Sequence, residues 1–188
     1  MIFDTHAHYY DDAFDADRDA LLSALPERGV DLGVCPGCDL ESSRQSRDLA
    51  ERYGYLYFAA GFHPENLEGA SLSDLEQVRA LCAHPKCVAV GEVGLDYYWV
   101  KTPEARAGSR DFFDAQLSLA EELDLPVIVH DRDAHKDCLD IVKAHPRVRG
   151  GVPLLRPGCG GCEAGGGVGL DVLLHRQHHL PQRQKSPG

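Results

Sequence analysis

Met1-Ile2-Phe3-Asp4-Thr5-His6-Ala7-His8 opens the chain on apolar, β-prone residues and closes on two histidines one residue apart. Side chains alternate along a strand, so a strand running Ile2–His8 would set His6 and His8 on one face. Imidazole ligates Zn, Fe, Mn and Co, and two imidazoles on one face make half of a metal site. Two surface histidines near an N-terminus would read the same in isolation. The deciding signal is that similar runs recur along the chain.

Outward from that stretch, strand-like and helix-like segments alternate. A helix is expected from Asp17 to Arg28, with Leu21, Leu22 and Leu25 on its apolar side, Pro26 bending it and Gly29 stopping it. Val30–Pro36 reads as a second, buried strand, followed by Asp39 as N-cap of a helix to about Tyr53. Leu56–His63 reads as the third strand, and Ser73 as the cap of a helix to His84. Val88–Asp96 is the fourth strand, and Pro103 opens a long helix to Leu123. A fifth strand, Val127–Asp131, and a helix over Ala134–Ala144 follow. Continuous apolar strands separated by helices imply a parallel sheet covered by helices. A doubly wound sheet and a (β/α) barrel both fit, and both place active residues at the carboxyl ends of strands.

Four of these ends carry metal-type residues: His6 and His8, then His63 in Gly61-Phe62-His63-Pro64, then Glu92 and Asp96, then His130 in Val129-His130-Asp131-Arg132. A strand-end histidine is often merely exposed, and a buried carboxylate often pairs with an arginine. Recurrence at successive strand ends favours one shared metal site over four coincidences.

The 188 residues suit one domain with a sizeable core. A net charge of −11 argues against a broad phosphate-tracking surface, which needs clustered Lys and Arg. It leaves room for a nuclease that holds its substrate through metal ions and a few local cations. No apolar run reaches the roughly 18 residues of a membrane span, and no basic-then-apolar leader is visible. The expectation is therefore cytoplasmic, with seven cysteines kept as thiols.

The stretches Phe3–His8, Pro36-Gly37-Cys38-Asp39-Leu40-Glu41-Ser42-Ser43, Gly61–Pro64, Ala89–Tyr97 and Leu125–Arg132 together resemble, in order, the TatD family of metal-dependent deoxyribonucleases. The resemblance covers residues 1 to about 151. It implies a (β/α)8 TIM-barrel α/β fold and phosphodiester hydrolysis at DNA ends. It also implies up to two divalent cations (Mg, Mn or Zn), with His6 and His8 on one, Glu92 bridging both as the catalytic carboxylate, and His130 on the other. His63 and Arg132 are substrate-side candidates, Arg132 for a non-bridging phosphate oxygen. DNA or another phosphodiester is the implied partner; the sequence points to no protein partner and no membrane.

The resemblance stops near Gly151–Val152. The family continues into a sixth strand ending His-Cys-x-Ser-Gly and later supplies an Asp for the first metal. Here Pro153-Leu154-Leu155-Arg156-Pro157-Gly158 follows instead. Residues 1–149 carry a net charge of −13 and 9 glycines, whereas residues 150–188 carry +2 and 10 glycines. This abrupt change predicts an incomplete barrel of five strands and part of a sixth, with an irregular tail over 152–188. A reading-frame shift is one expected origin of that tail, and a genuinely diverged C-terminus is its rival. Retranslation of the DNA around codon 152 tests it: no His-Cys-x-Ser-Gly stretch in either other frame rules the shift out. By the same resemblance each cation has lost one protein ligand. The chain is therefore expected to be an impaired nuclease, with a non-catalytic metal-binding fragment as the rival.

A remoter alternative is thiol-disulfide chemistry at Cys35-Pro36-Gly37-Cys38, or a Zn(Cys)4 site formed with Cys159 and Cys162. The two pairs lie far apart in sequence, and the first falls inside a family-like stretch that needs no redox role.

Overall fold

The computed structural model describes residues 2–151. The expectations of an irregular tail and of a Cys159/Cys162 site lie outside the described residues. Six parallel strands form one sheet whose spatial order equals their order in sequence. They are β1 (Ile2–Asp4), β2 (Val30–Pro36), β3 (Leu56–Ala60), β4 (Cys87–Asp96), β5 (Val127–Arg132) and the short β6 (Gly150–Gly151). A doubly wound sheet reverses direction at a switch point. This one never reverses, which decides between the two architectures. It is a curled, barrel-type sheet, an incomplete TIM barrel as expected.

Five helices connect the strands: α1 (Arg18–Ala24), α2 (Leu40–Arg52), α3 (Leu75–Cys82), α4 (Pro103–Leu123) and α5 (His135–Ala144). Local chemistry explains their ends. Asp39 accepts from the Ser42 backbone N–H at 2.8 Å in a capping box at α2. Thr102 caps α4 with Pro103 in its first turn, and Asp124, at φ 52°, stops it. The carboxyl-terminal carbonyls of α2, left unpaired by helix geometry, converge on Lys86. Its Nζ donates to the carbonyls of Ala50, Tyr53 (3.1 Å), Gly54 (3.3 Å) and Leu56 (3.2 Å). One ammonium thus joins the end of α2 to the starts of β3 and β4.

Several boundaries depart from the sequence reading. The first helix ends at Ala24, and Pro26–Arg28 forms a separate 3-10 turn closed by Gly29 at φ 90°. Proline removes a backbone donor and interrupts the helix. The cap before α3 is Ser71, not Ser73. Ser71 and Asp74 exchange capping-box bonds around a 3-10 turn, and the α-helix begins only at Leu75. β1 stops at Asp4 and β3 at Ala60, so His6, His8 and His63 sit beyond their strands.

Phe58, Leu56, Val90, Val93, Leu95, Phe113 and Leu117 are fully buried between sheet and helices. A buried phenylalanine of this kind is worth about 3–5 kcal/mol against alanine. Among the described residues, no helix is long and apolar enough to cross a membrane.

Candidate metal centre

Asp4 is the hinge of the first ligand segment. It accepts the backbone N–H of His6 at 3.3 Å and the Tyr9 hydroxyl at 2.6 Å. The Ala7 N–H then returns to the Val34 carbonyl at 3.1 Å, so the chain keeps following β2 after the strand has ended. Arg18 holds the outgoing turn by donating to the carbonyls of Tyr9, Tyr10 and Asp11. His6 and His8 therefore converge because this turn is pinned, not because a strand continues through them.

The structure brings together His6, His8, Glu92 and His130. His6 Nε2 lies 3.0 Å from His8 Nε2 and 3.1 Å from Glu92 Oε2, and His8 Nε2 is 3.4 Å from the same oxygen. Cation–ligand bonds of about 2.1 Å put neighbouring ligand atoms about 3.0 Å apart in an octahedron and about 3.4 Å apart in a tetrahedron. The three observed separations span that range, so the donor set fits a common divalent cation. On the other side of the carboxylate, Glu92 Oε1 is 3.2 Å from His130 Nδ1. The two oxygens of Glu92 thus face different histidines.

Partners on the far ring nitrogens sort the histidines by tautomer. His8 Nδ1 lies 3.1 Å from the Pro36 carbonyl, an acceptor only, so that nitrogen carries hydrogen and Nε2 is the one turned toward Glu92. His130 Nε2 lies 3.0 Å from Asp96 Oδ2, which leaves Nδ1 turned toward Glu92. His63 is the opposite case. Its Nδ1 accepts the Glu65 backbone N–H at 3.2 Å, so its Nε2 presents a hydrogen. Although His63, Glu92 and His130 lie close enough to surround an ion, His63 suits hydrogen-bond donation better than ligation.

The electrostatics put a proton on His8 and His130 near pH 7, at the ring nitrogens that a cation would take over. Burial would raise the Glu92 carboxyl, but His130, His6 and His8 outweigh it and hold it well below its ordinary value. Burial opposes charge on His8 and His130 too. Contacts with Cys38 and Glu92 nonetheless raise His8 to about 11, and Asp96 and Glu92 raise His130 to about 9. Burial lowers His63 to about 4, leaving it neutral near pH 7. Anionic Glu92 is already stabilised by positive charge, the role a cation would also fill.

Asp96, placed by the sequence at the same strand end as Glu92, has no role assigned there. It is fully buried, orients His130, and accepts the Trp99 N–H at 2.8 Å. The Cys38 contacts are not legible in the sequence. Its Sγ accepts from the Tyr10 hydroxyl at 3.2 Å, and that hydroxyl lies 2.8 Å from His8 Nδ1. Cys35 is fully buried against Ser46, and burial pushes its thiol up, away from the reactive thiolate. That environment disfavours a redox pair. Arg132 does not enter the cluster. Its guanidinium stacks on the Tyr98 ring at 3.9 Å.

A barrel-type parallel sheet with histidines and a shared carboxylate gathered toward the carboxyl ends of its strands is the plan of a metal-dependent hydrolase. The sequence model of the TatD related DNase family matches residues 3–153, and the chain belongs to that family. It is 36% identical over 143 residues to YabD of Bacillus subtilis, named an uncharacterized metal-dependent hydrolase, covering 76% of this chain and 55% of that protein. It is 35% identical over 138 residues to the 3'-5' ssDNA/RNA exonuclease TatD of Musicola paradisiaca, covering 71% and 50%. The crystal structure of YjjV, a TatD homolog from Escherichia coli, superposes with a TM-score of 0.73 at 34% identity, covering 85% of this chain and 61% of that one. The chain spans about half the length of the curated relatives it matches.

Proposed function

We propose that the chain carries most of the metal centre of a phosphodiesterase acting on DNA. His6, His8 and Glu92 would hold one divalent cation, and Glu92 with His130 would hold a second. The observation that carries this reading is the division of Glu92, with Oε2 facing His6 and His8 and Oε1 facing His130. The relative named as a 3'-5' ssDNA/RNA exonuclease supports nucleic acid as the substrate class.

When bound, such cations supply charge neutralisation on the phosphodiester and a water acidic enough to attack near neutral pH. The protein's own part is orientation. Glu92 spaces the two donor groups, Pro36 and Asp96 fix the tautomers of His8 and His130, and His63 Nε2–H donates to a phosphate oxygen. Arg132 offers a second donor from the rim.

Each cation has fewer protein ligands than the family supplies, so this chain should bind metal with little turnover. Incubation of single-stranded DNA with the purified chain and Mg²⁺ or Mn²⁺ tests this. Little or no EDTA-sensitive cleavage is expected, against clear cleavage once the family's missing segment is restored. Vigorous cleavage by the chain as it stands, abolished by Glu92→Ala, would overturn the impairment. Cleavage absent even from the restored protein would overturn the nuclease reading.

A further inference from the structure

The turn that follows β4 exposes the chain's single tryptophan. Trp99 is 56% exposed and its neighbour Tyr98 40%, although both follow a strand that is almost wholly buried. Their rings meet edge to face at a centroid distance of 4.8 Å. Two cations attend them: the Arg132 guanidinium lies 3.9 Å from the Tyr98 centroid and 5.9 Å from that of Trp99, and Lys101 Nζ lies 5.0 Å from Tyr98. Arg132 has no carboxylate within salt-bridge distance among the described residues. Stacking therefore leaves its N–H edge open to a ligand.

The platform is held in place. Asp96 accepts the Trp99 N–H, and the Val100 N–H returns to the Asp96 carbonyl at 3.0 Å. Arg106 donates to the Val100 carbonyl at 2.9 Å and the Tyr97 carbonyl at 3.1 Å. The same Asp96 orients His130, so one buried carboxylate couples the aromatic pair to the candidate metal centre.

We propose that Trp99, backed by Tyr98, Arg132 and Lys101, is the side chain on which an unpaired nucleobase next to the scissile phosphate stacks. This rests on the phosphodiesterase reading above. An exposed aromatic face beside two cations, in a chain of net charge −11, suits a ligand that is planar and anionic at once. Within a duplex each base already stacks on its neighbours, so only an unpaired base can offer its face to Trp99. Arg132, flat on Tyr98, can then donate in its own plane to the adjoining phosphate.

Because Trp99 is the only tryptophan, its emission reports stacking directly, without turnover. The full chain would be titrated with a labelled single-stranded oligothymidylate, following tryptophan emission and label anisotropy together. The titration would run in EDTA, and again with Mg²⁺ in the first seconds after mixing. Strong quenching is expected with the oligothymidylate, and little with an abasic deoxyribose-phosphate chain or a blunt duplex of equal length. Trp99→Ala should weaken the anisotropy-derived affinity about tenfold, and Trp99→Phe much less, as befits one lost base stack. Binding without quenching, or equal quenching by the abasic chain, would overturn the stacking site while leaving the phosphodiesterase reading standing. A response to anionic phospholipid vesicles but not to the oligonucleotide would overturn it in favour of a membrane surface. Cation-dependent DNA cleavage tests the underlying reading separately.

Discussion

Glu92 is only 6% exposed, yet it is held ionised by histidines on both of its oxygens. A buried carboxylate left without such partners would take up a proton instead. Replacing Glu92 by alanine removes the carboxylate that both donor groups share and leaves His6, His8 and His130 crowded around a void. Glu92→Ala should therefore lose most bound divalent metal in an elemental assay. His63→Ala should lose little, because His63 turns an N–H toward the cluster. Equal losses from the two variants would refute the assignment of Glu92 as the shared ligand. The two cation positions should also differ. His6, His8 and Glu92 give three protein ligands, whereas Glu92 and His130 give two, so calorimetric titration should resolve one tight and one weaker site.

Among the elements, α4 does more than cover the sheet. Its buried Gln116 accepts the Phe62 N–H at 2.7 Å and donates to the Phe62 carbonyl at 3.0 Å, fixing the backbone that leads into His63. Gln116→Leu leaves both backbone groups buried without partners. It should cost about 2–4 kcal/mol in urea unfolding, from one to three for each orphaned group and partial relaxation between them. β4 has a similar constraint at Gly94, where φ is 140° and an added Cβ would lie 2.0 Å from the His130 carbonyl oxygen. Gly94→Ala should destabilise the chain by roughly 2 kcal/mol or more and loosen metal, since His130 must move to admit it. Unfolding within 0.5 kcal/mol of the parent and unchanged metal content would contradict this. The sequence disclosed these elements unevenly. Asp39, Pro103 and Gly29 announce their cap, start and stop through local chemistry, and they are legible in the sequence. The end of β1 at Asp4 was not, because it depends on Tyr9 and Arg18 bonding to a turn that no periodicity marks. His6 and His8 do come together, but the strand alternation that first suggests their convergence does not reach them. Asp96 and Gln116 act through partners 34 and 54 residues away, contacts that only the folded sheet creates.

At the scale of the whole molecule, the open questions at the sequence level were how the strands are ordered and whether the motif-bearing ends meet. Alternating segments alone permit both a doubly wound sheet and a barrel; the strand order admits only the barrel. Among the described residues β1 is a terminal strand of the sheet, and its Ile2 and Phe3 are about half exposed, an apolar stretch of the kind that invites association. Purified chain should therefore self-associate with rising concentration in light scattering. A monodisperse monomer at high concentration would count against it. The strand order has a consequence for biosynthesis as well. Every strand from β2 to β6 pairs with the strand made just before it, so a growing chain never has to wait for a distant partner to emerge. All three donors of the first proposed cation site have been translated by residue 92, before the midpoint of the 188-residue chain. A ribosome-bound chain that has just released β4 thus already possesses what it needs to capture a metal ion, and loading can precede release.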